Sequence, residues 1–244
     1  LITPQGLGDP RQMSADRKLG VFRNIRGSSW ENVYEKSGLV NLAWGIGIGV
    51  GDFDADGFPD VMLANMGANC LWHNQGDGTF TRHNVPAFDA DNQVGHVCAV
   101  IADVSGDGLP DLISIAYSSM NDMLDKLCST REGIEVSCVP TEYSPADDQF
   151  LISDGISNFV SSELTRNSED RDGRGIGVLV GNFDDEGLNE TYVANDMSAN
   201  MFFQTATDQA TSARASSSTY VDTAVVRGVA FDGAGNPQAS MGIA

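Results

Sequence analysis

The chain has 244 residues, 41% of them hydrophobic and 20% charged, a balance that predicts a folded protein with one or two cores. Fourteen Lys and Arg stand against 34 Asp and Glu, for a formal net charge of -20. That charge repels phosphate backbones and anionic membrane surfaces and argues against nucleic acid as a partner. Its 27 Gly favour strands and turns, and no apolar run approaches the roughly 20 residues needed to cross a bilayer as a helix.

In chain order, the first predicted element is a hairpin, VFRNIRGSSW, over residues 21–30. Residues 45–65, GIGIGVGDFDADGFPDVMLAN, follow as an apolar run, an acidic loop with a Gly, and a second apolar run. LWHNQGDGTF, residues 71–80, repeats the hairpin, and HVCAVIADVSGDGLPDLISIA, residues 96–116, repeats the larger unit. Residues 117–149 form an insertion carrying Cys128 and Cys138 among turn formers. We read these two as a disulfide, which implies an oxidising compartment; the alternative is that they and Cys70 and Cys98 are all reduced thiols. FLISDGISNF, residues 150–159, fits the hairpin frame more loosely. In each hairpin a polar residue precedes an aromatic by six positions: Asn24 and Trp30, Asn74 and Phe80, Ser153 and Phe159. GIGVLVGNFDDEGLNETYVAN, residues 175–195, is the third large unit. Residues 205–219 are small and polar and read as a surface loop.

The acidic loops begin at Asp52, Asp103 and Asn182, spaced 51 and then 79 residues apart, with the insertion in the longer gap. Each unit supplies about four short strands, so period and strand count predict an all-β fold: a β-propeller of four-stranded blades. The expected division has residues 1–38 as the end of a preceding blade, 39–88 as a blade, and 89–166 as a blade with the insertion 117–149. Residues 167–227 form a blade with the polar loop 205–219, and 228–244 open the next blade. About three units fall short of the 4–8 blades that close a ring, and Leu1 is not an initiator Met. The propeller is therefore expected to be incomplete in this sequence.

The loop DFDADGFPD presents Asp52, Asp54, Asp56 and Asp60 at positions 1, 3, 5 and 9, with Gly57 at position 6 and the Phe58 carbonyl at position 7. Hard oxygen donors at flexible spacing suit calcium, and carboxylates this dense repel one another unless a cation lies between them. Magnesium, which demands near-ideal octahedral geometry, suits the loop less well. An EF-hand needs Glu at position 12 between helices, whereas that position holds Leu63, Ser114 and Val193 in the three units. The second loop offers Asp103, Ser105, Asp107 and Asp111 with the Leu109 carbonyl. The third offers Asn182, Asp184, Glu186 and Glu190 with the Leu188 carbonyl. Its longer Glu arms leave the third site open, so two calcium ions are expected and a third is undecided. A polar Asp-Gly turn without metal explains one such loop, but less readily three at matching places.

These loops resemble the FG-GAP/VCBS calcium-binding repeats of integrin α-subunit propellers. More closely, the chain resembles the ASPIC/UnbV group, which includes cartilage acidic protein. The strings that carry this are FRNIRGSSWENVYEKSGL, GVGDFDADGFPDVMLAN, CLWHNQGDGTF, YVANDMSANMFF and GVAFDGAGNPQASMGIA. The resemblance implies a β-propeller, calcium in the blade loops, an extracellular or periplasmic setting and no established catalytic residues. It carries ligand roles onto Asp52, Asp54, Asp56, Asp60, Asp103, Asp107 and Asp111. Ser105, Asn182, Glu186 and Glu190 depart from its pattern.

Enzyme signatures are weak. GIGIGVG, residues 45–51, alternates Gly with apolar residues and runs into carboxylates rather than a helix, which disfavours a dinucleotide. The three His, His73, His83 and His96, belong to no HExxH, and no GxSxG is present. Asp170, Arg171, Asp172 and Arg174 read as a charged blade connection. The sequence thus predicts a secreted, calcium-binding propeller that serves as a protein- or glycan-binding or scaffold module. The alternatives are an extracellular polysaccharide lyase or hydrolase on the same propeller, or a subunit of a larger assembly.

Overall fold

The computed structural model describes residues 2–3, 20–41, 43–155, 158–165, 173–185, 187–206 and 219–240. The protein is all-β, an incomplete β-propeller. Strands β1 (Ile2–Thr3), β2 (Gly20–Ile25) and β3 (Ser29–Asn32) form a three-stranded sheet. Arg26 and Gly27, at φ 52° and 75°, are the central residues of the β2–β3 turn. Positive φ at both makes it a type I′ turn, whose twist matches that of the flanking strands. Helix α1 (Tyr34–Ser37) leads into the first blade: β4 (Trp44–Gly51), β5 (Asp60–Met66), β6 (Cys70–Asn74) and β7 (Phe80–His83).

Helix α2 (Pro86–Ala90) precedes the second blade, in which β8 (Val94–Ala102) pairs with β9 (Asp111–Ser119). The insertion then contributes α3 (Met120–Asp125), β10 (Cys128–Ser129), β11 (Glu135–Val136) and a 3-10 turn at Pro140–Glu142. Cys128 and Cys138 are disulfide-bonded, whereas Cys70 and Cys98 are free thiols. The insertion is pinned to the blades: Ser118 Oγ donates to the Ser144 carbonyl (2.6 Å), and Arg174 Nε to that of Tyr143 (2.8 Å). Strands β12 (Gln149–Ser153) and β13 (Phe159–Ser161) complete the blade.

The third blade is β15 (Gly175–Gly181), β16 (Glu190–Ser198), β17 (Met201–Thr205) and β18 (Thr219–Asp222). The short β14 (Glu163–Thr165) joins it, parallel to β18. Helix α4 (Ala224–Arg227) follows, and β19 (Gln238–Ala239) lies against the end of β16, as β8 lies against β5 at Met66 and Gly95. Most of the polar loop 205–219 lies outside the described residues.

Each large repeat begins and ends on cross-strand partners: Gly45 and Asn65, His96 and Ala116, Gly175 and Asn195. A register shift follows the first member in all three. The six-residue hairpin pairs are also partners, Asn24 with Trp30, Asn74 with Phe80 and Ser153 with Phe159. At the far ends of the second strands another repeat operates: the backbone N–H of Asn65, Ala116 and Asn195 donates to the side chains of Asn69, Asp148 and Asn200, each at 2.9 Å.

Blades stack face to face, so their second strands are buried on both sides and read as nearly continuous apolar runs. Alternate residues of β5 face opposite ways. Met62 and Ala64 pack with Ile101, Leu112 and Leu151 of the second blade, while Val61 and Leu63 pack with Val21, Leu39 and Trp72. Ile113 and Ile115 of β9 continue the pattern into the third blade, against Val193, Phe203 and Tyr220. Each such buried side chain contributes about 1.5–3 kcal/mol relative to exposure. The inner strands β4, β8 and β15 line a cavity of ≈ 330 Å³ bordered by Ile48, Cys98, Val100 and Val178. Glycine permits this approach: a Cβ on Gly49 would lie 2.7 Å from the Ala99 carbonyl oxygen. Among the described residues, no helix is long and apolar enough to cross a membrane.

Candidate metal centre

All three acidic loops join a blade's first strand to its second, and they share one backbone trace. Position 4 is left-handed in each, with φ 58° at Ala55, 78° at Gly106 and 61° at Asp185. Position 6 is left-handed too, with φ 92°, 88° and 96° at Gly57, Gly108 and Gly187. Position 9 opens the second strand and accepts the N–H of position 2. Phe53 donates to Asp60 at 2.9 Å, Val104 to Asp111 at 2.9 Å and Phe183 to Glu190 at 2.8 Å. That carboxylate is buried in every loop.

In the first loop Asp52 accepts from the N–H of Asp56 (3.0 Å) and Gly57 (2.8 Å), which winds the chain around it. Asp60 also accepts from the N–H of Asn74 on β6, at 2.8 Å. Oxygens of Asp52, Asp54 and Asp60 lie within 4.8 Å of one another. Ligands sharing one ion at 2.3–2.6 Å sit no more than about 5 Å apart, so these carboxylates could hold a hard divalent ion. Burial, together with the nearby Asp54 charge, pushes the Asp60 carboxyl above its ordinary value, the direction expected of an anion short of a cation. The Phe58 side chain is exposed and covers the hairpin turn at Gly76.

His73 joins this loop from outside its spacing pattern. From β6 its Nε2 lies 3.1 Å from Asp54 Oδ2 and 3.0 Å from Asp56 Oδ2. Gln75 Nε2 faces Nδ1 at 3.0 Å and donates to Thr81 Oγ1 at 2.9 Å. A donor at Nδ1 directs the neutral ring's proton to Nε2, toward the carboxylates. The Asp56 hydrogen bond raises the His73 pKa, and the same bond lowers that of Asp56.

The second loop gathers its carboxylates less closely. Asp103 accepts from the N–H of Gly106 (2.7 Å) and Gly108 (2.9 Å), and Asp107 from that of Leu109 (2.9 Å). Asp111 accepts three backbone N–H groups, from Val104, Ser105 and Ser153, each at 2.9 Å. Burial still pushes its carboxyl up to about 6. Ser105 Oγ lies 3.4 Å from Asp103 Oδ1, and the Leu109 side chain packs near Gly155. Among the described residues, only first-loop groups form a carboxylate cluster of metal-binding size.

In the third loop Asn182 is exposed, and Glu186 lies outside the described residues. Leu188 packs on Gly106 of the second loop, and Asn189 Nδ2 donates to the Asp103 carbonyl at 2.7 Å. Asp184 meets Arg227 Nη2 at 2.8 Å, and burial raises the Glu190 carboxyl.

Residues 52–114, which span the first two loops, match the sequence model of the FG-GAP-like repeat. No curated protein gives a significant match to the chain. The FG-GAP-like segment thus contains the first carboxylate cluster, the bridging strand β8 and the whole second loop.

The other two His lie elsewhere. His83 packs on Phe53, with ring centroids 4.8 Å apart. His96 is fully buried beside Asp91, Nε2 to Oδ2 3.6 Å, and burial lowers its pKa to about 4.

Proposed function

We propose that this chain is part of a secreted, calcium-stabilised β-propeller of the ASPIC/UnbV kind, serving as a non-enzymatic protein- or glycan-binding or scaffold module. The observation that carries the proposal is the convergence of Asp52, Asp54 and Asp60 at a blade's first turn, inside an FG-GAP-like repeat. Calcium is held by the first loop, through these carboxylates with Asp56 and the Phe58 carbonyl. A second ion is held by Asp103, Ser105, Asp107 and Asp111 with the Leu109 carbonyl, a set of lower charge. In the first two loops the buried position-9 acids, Asp60 and Asp111, both raised in pKa by burial, favour a divalent counter-charge. The Cys128–Cys138 bond supports an oxidising location outside the cytosol.

Extracellular calcium modules bind at about 10⁻⁴–10⁻³ M. At 10 mM calcium such sites stabilise the native state by about 1.4–2.7 kcal/mol each. For a chain of this size that raises the thermal midpoint by about 3–10 °C per site. Scanning calorimetry in EGTA and then in 10 mM calcium chloride should show this rise. Equal midpoints in the two conditions would refute calcium stabilisation.

A further inference from the structure

We propose that Arg227 is the resident cation of the third loop, so that the third blade needs no divalent ion. The inference rests on the cation role proposed for the first two loops and extends it to the loop where the acidic pattern decays. The third loop keeps the trace of the first: Asp185 and Gly187 match Ala55 and Gly57 in their left-handed φ, and Glu190 accepts the N–H of Phe183 as Asp60 accepts that of Phe53. Its chemistry differs. Position 1 is Asn182, a neutral amide, and no carboxylate there collects backbone N–H groups.

A charged side chain reaches in instead. Arg227 ends α4 and places Nη2 2.8 Å from Asp184 Oδ2, the position-3 carboxylate that corresponds to Asp54. The guanidinium is held from two other sides. Its Nε and Nη2 donate to Gln204 Oε1 at 3.1 and 2.7 Å, and its central carbon lies 4.8 Å from the centroid of the Phe202 ring. Strand pairing makes Gln204 the counterpart of His73, because Phe203 faces Thr191 as Trp72 faces Val61. A strand position that aims an imidazole at the first loop therefore holds an amide that orients a guanidinium toward the third. Stacking, an amide acceptor and a carboxylate together fix a planar cationic fork in place. A lone surface ion pair would have none of this support.

The arrangement makes the third loop chelator-resistant while the first is not. In EGTA, amide hydrogen exchange should quicken over residues 52–60 and stay unchanged over 183–191. Equilibrium dialysis should give the same calcium count for wild type and Asp184→Asn. In EGTA, Arg227→Gln and Asp184→Asn should each lower the thermal midpoint by about 2–4 °C, and the double variant should fall no further than the lower single. Arg227→Lys, which keeps the charge without the fork, should recover part of the loss.

Loss of one calcium per chain in Asp184→Asn would overturn the proposal, as would an Arg227→Gln midpoint equal to wild type in EGTA. Chelator-induced exchange at 183–191 would overturn it too. A wild-type protein that bound no calcium would refute the calcium reading of the first two loops. The role of Arg227 would still be decided by the EGTA midpoints.

Discussion

At the residue scale, one amino acid can matter through where its proton goes. His96 sits fully buried on β8, with both ring nitrogens lacking a hydrogen bond and the Asp91 carboxylate 3.6 Å away. Its folded pKa of about 4 lies below the ordinary 6.5, so the unfolded chain takes up a proton that the native state refuses. Stability is therefore full above about pH 6.5 and falls by about 3 kcal/mol as the pH drops toward 4. Asp111, raised to about 6, has the opposite sign: its contribution is present below the ordinary carboxylate range and is lost as pH rises through 6. Asp91, also raised by burial, follows Asp111 in sign. Comparing wild type with His96→Leu reports on the imidazole together with its Asp91 neighbour, while Asp111, at the other end of the β8–β9 pair, contributes alike to both proteins. Urea denaturation at pH 7 and at pH 4.5 should show the variant gaining about 2–3 kcal/mol relative to wild type at the acid pH. A difference independent of pH would show that His96 is not held neutral.

Residue chemistry was only partly legible in the sequence. The spacing of Asp52, Asp54 and Asp60 pointed to a shared ion, and the three side chains do converge. His73 and Arg227 gave no such signal. Each reaches its loop from another strand or helix of the same blade, through register and helix placement rather than local spacing. Aligning the hairpins would have put His73 opposite Gln204, but not the Arg that Gln204 orients.

At the element scale, the inner strand β4 is a period-two alternation of Gly with larger residues. The alternation answers a packing need, since the facing β8 backbone leaves no room for a Cβ at Gly49. Gly49→Ala should cost about 1–3 kcal/mol, because the atom it would meet is backbone and cannot rotate away. Val50, adjacent but 60% exposed, is the control: Val50→Ala should stay within about 0.5 kcal/mol. Chemical denaturation of both variants checks the pair, and equal losses would mean that the approach of β4 to β8 is not the constraint. The hairpins were readable because a polar residue and an aromatic six apart become cross-strand partners, as Asn74 and Phe80 do. The parallel addition of β14 to the third blade was not readable, since three residues of mixed polarity carry no signal for a partner more than 50 positions away.

At the scale of the molecule, the sequence repeats announced the propeller because blades that stack on one another must repeat the same apolar pattern. The faces are unequally covered. Leu39, just after the left-handed Gly38 that ends α1, is 1% exposed, whereas Val229, just after Gly228 at the end of α4, is 38% exposed. Val225, Val226 and Phe231 share this exposure, so the α4 side carries the larger apolar surface. The insertion stands apart from the repeat and is closed by its own disulfide.

We propose that loops between blade strands grip a divalent ion, and isothermal titration of calcium into wild type and Asp54→Asn checks this. Wild type should bind at about 10⁻⁴–10⁻³ M or tighter, and the variant at least about tenfold more weakly at one site, for the loss of one of three converging carboxylates. Identical titrations for the two proteins, or no binding by either, would contradict it.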